Sequence, residues 1–285
     1  MAFGDRLASV FADLGRLCVG VDPHAHLLRA WGLAESAAGA REFGLRVVDA
    51  AHGHAGIVKP QVAFFERYGS DGYAALEDVL AAARAAGILV IADAKRGDIG
   101  TSVEAYAQAW LSPGSPLEAD AMTISAFQGV GSIMAPMLLA EQTGKGLFVL
   151  AATSNPEAAA IQQAIVPVDN RSGSTVARAI IDDVKAFNSD QSRHQYGSVG
   201  VVLGATLDLA RFGVDTSTQA GANPMPVLAP GFGHQGARLA DARSIFGTLT
   251  SSMIVSESRG LLSAGPDGLA SAITARAEEV RTHIG

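Results

Sequence analysis

The sequence predicts an α/β fold, specifically a (β/α)8 TIM barrel that takes up residues 1–285 as a single domain. Short apolar runs recur along the whole chain, and each leads into a polar or glycine-rich cluster and then an alanine-rich helical segment. That alternation implies a parallel sheet with right-handed crossovers. Eight such units can be placed, the number that closes a barrel, and no Pro/Ser linker or break in composition divides them. A doubly wound open sheet is the alternative topology for the same alternation.

The first run, Leu17–Asp22, is apolar up to its closing aspartate, and the helical pattern Ala37–His52 follows it. Gly56–Pro60 is the second strand, stopped by its proline, with Gly72–Ala86 as its helix. Ile88–Asp93 precedes the helix Thr101–Leu111, where Thr101 and Glu104 have capping-box spacing and Asp98 stands at the expected helix start. Ala121–Ser125 with Ser132–Thr143, Leu147–Ala151 with Ser174–Asn188, and Val199–Leu203 with Leu207–Phe212 form the next three units. Pro226–Ala229 with Ala237–Phe246, and Met253–Ser256 with Pro266–His283, complete the count. The longest irregular stretches, Thr153–Ser174 and Asn188–Ser198, are both expected beside strand ends as mobile covers.

Composition narrows the function. Apolar residues make up 48% of the chain and charged residues 17%, below the roughly 25% of average soluble proteins, which suits a compact enzyme-like domain. The net charge of −7 and pI near 5.5 give no basic footprint for nucleic acid. No apolar run reaches a membrane span, and the Met1–Arg6 segment has no signal-like basic and apolar pattern. The one cysteine, Cys18, reads as a buried small hydrophobe in a reducing compartment. A cytoplasmic location is expected.

In a barrel, side chains at the C-terminal strand ends share one pocket mouth. Those ends carry Asp22, Lys59, the Asp93–Lys95–Asp98 cluster, Ser125, Ser154, Gln235 and Arg259. Charges are rarely buried without partners. If Asp93, Lys95 and Asp98 converge, the lysine stays protonated between two carboxylates, which equips it to stabilise a carbanion and then protonate it. The competing reading is a salt-bridged surface loop, worth little in stability. Lys59 could form a Schiff base, bind an anion or merely snorkel, so a class I aldolase stays open. Gly231 and Gly233, in Gly231-Phe-Gly-His-Gln-Gly236, let backbone N–H groups approach an anion, although a plain tight turn has the same signature. Paired with Arg259, which can grip phosphate bidentately, the loop points to a phosphorylated substrate. The pairs His24/His26 and His52/His54 lack matching ligands at later strand ends, so no metal site is expected.

Taken together, these residues resemble the orotidine 5′-phosphate decarboxylase family, its longer bacterial branch in particular. The block Asp93-Ala-Lys95-Arg96-Gly97-Asp98-Ile99 is close to a family signature. Val58-Lys59-Pro60-Gln61, Leu150–Pro156, Gly204-Ala-Thr206 and Pro230–Gly236 support it. The resemblance runs from Val19-Gly-Val-Asp22-Pro23 to Arg259 and Ala264-Gly-Pro266.

The resemblance implies decarboxylation of orotidine 5′-monophosphate to uridine 5′-monophosphate and CO2, a step of pyrimidine biosynthesis, with no metal or organic cofactor. It implies that Lys95 protonates C6, with Asp93 beside the substrate carboxylate. It further implies a homodimer in which Asp98 reaches the partner subunit's site. Asp22 and Lys59 would bind ribose hydroxyls, Ser154 the pyrimidine, and Gln235 and Arg259 the phosphate beside Gly231 and Gly233. Ser102 stands where many relatives carry threonine, and its hydroxyl keeps a sugar contact available. Ser125 lies in a motif that varies within the family and receives no role. Two alternatives are a metal-dependent sugar-phosphate decarboxylase or aldolase of the same barrel type, and a non-catalytic barrel that binds a phosphorylated ligand. The metal enzymes need an acidic ligand at the second strand end, where this chain has Lys59.

Overall fold

The structure, a computed structural model, describes residues 1–167, 171–191, 193–218 and 221–285. Eight parallel strands close in sequence order: β1 (Leu17–Val21), β2 (Ile57–Pro60), β3 (Leu89–Arg96), β4 (Ala121–Ile124), β5 (Gly146–Ala152), β6 (Val199–Leu203), β7 (Val227–Pro230) and β8 (Met253–Glu257). Pairing of β1 with β8, Leu17 opposite Val255, completes the ring, so the open-sheet alternative is excluded.

The helices are α1 (Phe3–Asp13), α2 (Ala25–Ala30), α3 (Ala37–Ala51), α4 (Ala63–Glu66), α5 (Gly69–Ala85), α6 (Gly100–Leu111), α7 (Met134–Thr143), α8 (Ala159–Gln162), α9 (Val176–Ser189), α10 (Ala242–Phe246), α11 (Arg259–Leu262) and α12 (Gly265–Ile284). None of the described helices is long and apolar enough to cross a membrane.

Strand periodicity of two sorts the side chains into two cores. Cys18, Ile57, Leu89, Ile91, Phe148, Val202, Leu228 and Ile254 fill the barrel interior. Val19, Val58, Val90, Met122, Val201, Val227 and Val255 face outward and pack under the helices. Continuous apolar runs are what a strand buried on both faces requires.

The N-terminal helix α1 plugs the end of the barrel where the strands begin. Phe3 and Leu7 join the interior cluster, and the Phe3 ring meets Phe148 edge-on at 6.1 Å. A Cβ at Gly146 would stand 2.6 Å from the Phe3 ring, so glycine at the start of β5 is what admits the plug. Arg6 bonds Asp120 and the Gly144 carbonyl, tying α1 to β4 and the end of α7.

Four local expectations are corrected. α6 starts at Gly100 with Ile99 as its N-cap and no capping side chain; Asp98 instead accepts the Ile99 N–H at 2.8 Å. Leu207–Phe212 holds only a 3-10 turn, Leu209–Phe212, and Ala237–Phe246 holds a 3-10 turn followed by the five-residue α10. The stretch Asn188–Ser198 leads into the beginning of β6, away from the pocket mouth. There His194 and Gln195 contact Asp5 of α1, so it is no cover for the site. Residues 168–170 and 192, within the two expected irregular stretches, lie outside the described residues.

Candidate active site

The C-terminal strand ends open into a cavity of about 510 Å³. It is lined by Asp22, Lys59, Asp93, Lys95, Ser154, Gly231, Gln235 and Arg259 among the expected residues. Asp98, Ser102 and Gly233 are not part of the lining.

Asp93 sits at the centre of the charged floor. Period two along β3 turns it inward with Leu89 and Ile91, and Lys59 on β2 shares that parity with Ile57. Lys59 Nζ donates to Asp93 Oδ2 at 2.7 Å. Lys95 Nζ donates to Oδ1 at 2.6 Å and to Gln61 Oε1 at 3.1 Å. The Thr123 hydroxyl on β4 donates to Asp93 Oδ1 at 2.8 Å and accepts the Lys95 N–H at 2.9 Å.

The backbone is bent to make this possible. Ala92 pairs with Met122 but Arg96 with Ile124, so β3 bulges against β4 across Asp93–Lys95. Lys95 has φ of 48°, a left-handed conformation costly for a residue with a Cβ and persisting where surroundings enforce it. The next residue supplies part of that enforcement. Arg96 bonds the Ala94 carbonyl at 3.1 Å and Glu66 at 2.9 Å, and Glu66 also accepts the Tyr73 hydroxyl at 2.7 Å.

Electrostatics fix the protonation states. Burial works to raise the proton affinity of Asp93, but Lys59 and Lys95 outweigh it and hold the carboxyl well below its usual range. Burial likewise works against the charged form of Lys59, and Asp93 and Asp22 reverse it, holding the ammonium above the ordinary lysine value. A Schiff-base lysine must shed its proton first, so Lys59 is unsuited to the class I aldolase role. Burial pushes the Cys18 thiol beneath this floor up to about 12, against the pull of Lys59, and the residue is an inert interior side chain as expected.

Two buried acceptors in the cavity wall have no hydrogen-bond partner among the described residues: Asp22 Oδ1 and Ser258 Oγ. Buried polar atoms are nearly always satisfied, so both are exceptional features of the cavity wall. His24, one residue beyond Pro23, also lines the cavity and packs against Phe64, ring centroids 4.2 Å apart and planes inclined at 58°. Burial lowers its proton affinity, and the charges of His26, Arg259 and Arg67 add to that against Asp22. Among the described residues no group of three or more His, Cys, Asp or Glu could hold a metal ion.

At the far side, Gly231 and Gln235 line the cavity with Arg259, whose guanidinium has no hydrogen-bond or ion-pair partner among the described residues. Gly233, by contrast, spends its N–H on the Ala237 carbonyl at 3.0 Å. Its place in the loop is conformational, with φ of 66°, and its amide is not available to an anion. Gln61, Thr123, Asn155 and Glu257 also line the cavity, although the sequence assigned them no role. Thr123 was discoverable as the one polar side chain within the run Ala121–Ile124, and Gln61 as the residue directly after β2.

Comparison with known proteins places this geometry in context. Residues 15–272 match the sequence model of the Orotidine 5′-phosphate decarboxylase / HUMPS family. An orotidine 5′-phosphate decarboxylase of Salinispora tropica is 46% identical over 269 residues, covering 94% of this chain and 92% of that protein. One of a Nocardioides species is 48% identical over 265 residues, covering 91% of each. Among solved structures, a Streptomyces avermitilis protein assigned as orotidine 5′-phosphate decarboxylase superposes with a TM-score of 0.90 at 44% identity, covering 99% of this chain and 96% of that one. The Leishmania donovani OMP decarboxylase superposes with a TM-score of 0.76 at 31% identity, covering 99% and 98%. A match over most of the chain, at these identities and on one barrel, makes this protein a member of the orotidine 5′-phosphate decarboxylase / HUMPS family.

Proposed function

We infer that this chain decarboxylates orotidine 5′-monophosphate to uridine 5′-monophosphate and CO2, a step of pyrimidine biosynthesis. The observation that carries the inference is the fixed Lys59–Asp93–Lys95 array at the cavity floor. Loss of CO2 from C6 leaves a carbanion at that carbon. An ammonium already held beside it stabilises charge that develops near the transition state, with no reorganisation at that moment. Lys95 is the more accessible ammonium of the two that line the cavity, its side chain 45% exposed against 10% for Lys59. Lys95 then protonates C6, and Asp93, ionised throughout, holds the lysine in place and lies beside the departing carboxylate.

The remaining roles follow the cavity wall. Asp22 and Lys59 receive the ribose hydroxyls, and the unpartnered Asp22 Oδ1 supports this. Ser154 meets the pyrimidine, and Gln235 and Arg259 hold the phosphate next to Gly231. Phosphate binding far from the reacting bond supplies energy to order the site around it. No step needs a metal or organic cofactor, since the charge to be stabilised meets a lysine. At the end of β2, where a metal-dependent sugar-phosphate enzyme needs an acid ligand, stands a lysine committed to Asp93.

We propose a homodimer in which Asp98 and Ser102 serve the partner's site. Asp98 is half-buried and Ser102 exposed on the first turn of α6, both outside their own subunit's cavity lining. Ile99 and Tyr106, on the same segment, and Phe127, Met134 and Leu138, after β4 and on α7, are exposed large apolar side chains. Exposed apolar side chains concentrated on the neighbouring α6 and α7 suit an association face, and a second copy is the occupant that would also receive Asp98. Cytoplasmic location follows from the proposed pathway.

The direct test is ultraviolet absorbance of orotidine 5′-monophosphate mixed with the protein and a chelator. Loss of the orotate band supports cofactor-free decarboxylation. Loss only without chelator would point to the metal-dependent alternative, and binding without loss to a non-catalytic barrel.

A further inference from the structure

β8 ends on a carboxylate that the decarboxylation scheme leaves unused. The Glu257 side chain is 5% exposed, and Arg276 reaches it from α12, donating to Oε1 from Nε at 2.6 Å and also from Nη2. Arg276 makes a second ion pair with Glu279. Among the described residues Glu257 Oε2 accepts no hydrogen bond, and it lies under the glycine loop. A Cβ built on Gly233 would sit 3.0 Å from Oε2 and 3.5 Å from Arg276 Nη2.

The loop above Glu257 carries Gln235, and Arg259 follows two residues after Glu257. All three line the cavity, whereas Arg276 does not. An uncompensated carboxylate there would repel a phosphate dianion, because charges several ångströms apart at an effective dielectric near 20 change affinity by more than about tenfold. Burial raises the proton affinity of Glu257 and Arg276 opposes it, as expected where the carboxylate depends on one partner for its charge.

We propose that Arg276 is a positioning residue for phosphate recognition: it neutralises Glu257 beneath the Gly231–Gly236 loop, so that Arg259 and Gln235 meet a phosphate monoester without a competing negative charge. It acts through Glu257 and does not touch the ligand. The inference rests on the nucleotide reading above and adds to it a partner outside the cavity.

The test measures binding of uridine 5′-monophosphate and of uridine by calorimetry. Arg276→Met should weaken the nucleotide at least about tenfold while leaving the nucleoside within about twofold, and Glu257→Gln in the same chain should restore nucleotide affinity. A loosened fold would weaken both ligands alike, so equal losses, or no recovery in the double variant, overturn the proposal. Should Arg276→Met fail to fold, Glu257→Gln alone decides: the nucleotide should tighten with the nucleoside unchanged, and weakening contradicts the proposal. A wild-type protein that binds neither ligand would overturn the nucleotide reading, and this inference with it. One that binds both with equal affinity would overturn the phosphate role alone.

Discussion

Lys59 and Asp93, on adjacent strands, are joined at 2.7 Å with both side chains at most 10% exposed. Removing one partner of such a pair strands the other as a buried charge, and this typically costs about 3–5 kcal/mol. Asp93→Ala is therefore expected to lower stability by at least about 3 kcal/mol in a urea titration, independently of its effect on turnover.

The same pair sets a pH window. Asp93 is depressed in the folded state, so its contribution is fully present above the unfolded value near 3.9 and is lost as pH falls through the native value. Lys59 is raised, so its contribution is present below about 10.4 and is lost as pH rises through its native value. This pair's stabilisation should be constant between about pH 5 and 9. Melting temperatures of Asp93→Asn against the parent should converge as the solution is acidified; a constant gap down to pH 2 would contradict the assignment.

Asp98 lies outside its own cavity, and a cross-subunit role has a distinct signature. Lys95→Ala and Asp98→Ala chains, each inactive alone, should regain part of the activity when mixed, through hybrid sites carrying both native residues. No recovery with subunit exchange demonstrated would place Asp98 in its own subunit's chemistry.

The buried Cys18 thiol, pushed up to about 12, should resist a thiol-specific chromogenic reagent at pH 8, since the thiolate is the reactive form. Stoichiometric reaction is expected only once the protein is unfolded in denaturant.

Phe3→Ala tests the plug at the other end of the barrel. Phe3 is 1% exposed and packs on Phe148, so the truncation should cost about 3 kcal/mol or more. The KM for the nucleotide should stay as it was, because the opposite mouth carries the site.

How far the sequence revealed this molecule depended on what its residues had to do locally. Each barrel strand is buried on both faces, so its apolar run stands out, and the expected strands agree with the observed ones to within one to three residues. The charges of Asp93 and Lys95 were visible because they interrupt such a run. α1 escaped notice because its role is tertiary: Phe3 and Leu7 mean nothing until a barrel end exists for them to fill. The capping box at Thr101 failed for a related reason, since the chain leaving the β3 bulge enters α6 through Gly100, at φ of 58°. Thr123 sits inside an apolar run and Glu257 at the end of one, between two serines, and their partners, Asp93 and Arg276, are respectively 30 and 19 residues away. Gly233 resembled Gly231 in sequence, and the two are separated by the Gly233 hydrogen bond to Ala237 and by the place of Gly231 alone in the cavity lining.

Lys95, held at φ of 48° and 2.6 Å from Asp93, is the centre of the proposed chemistry, and one variant examines it directly. Purified Lys95→Ala should leave the orotate absorbance of orotidine 5′-monophosphate unchanged while still binding uridine 5′-monophosphate. Decarboxylation by that variant at a near-normal rate would contradict the account.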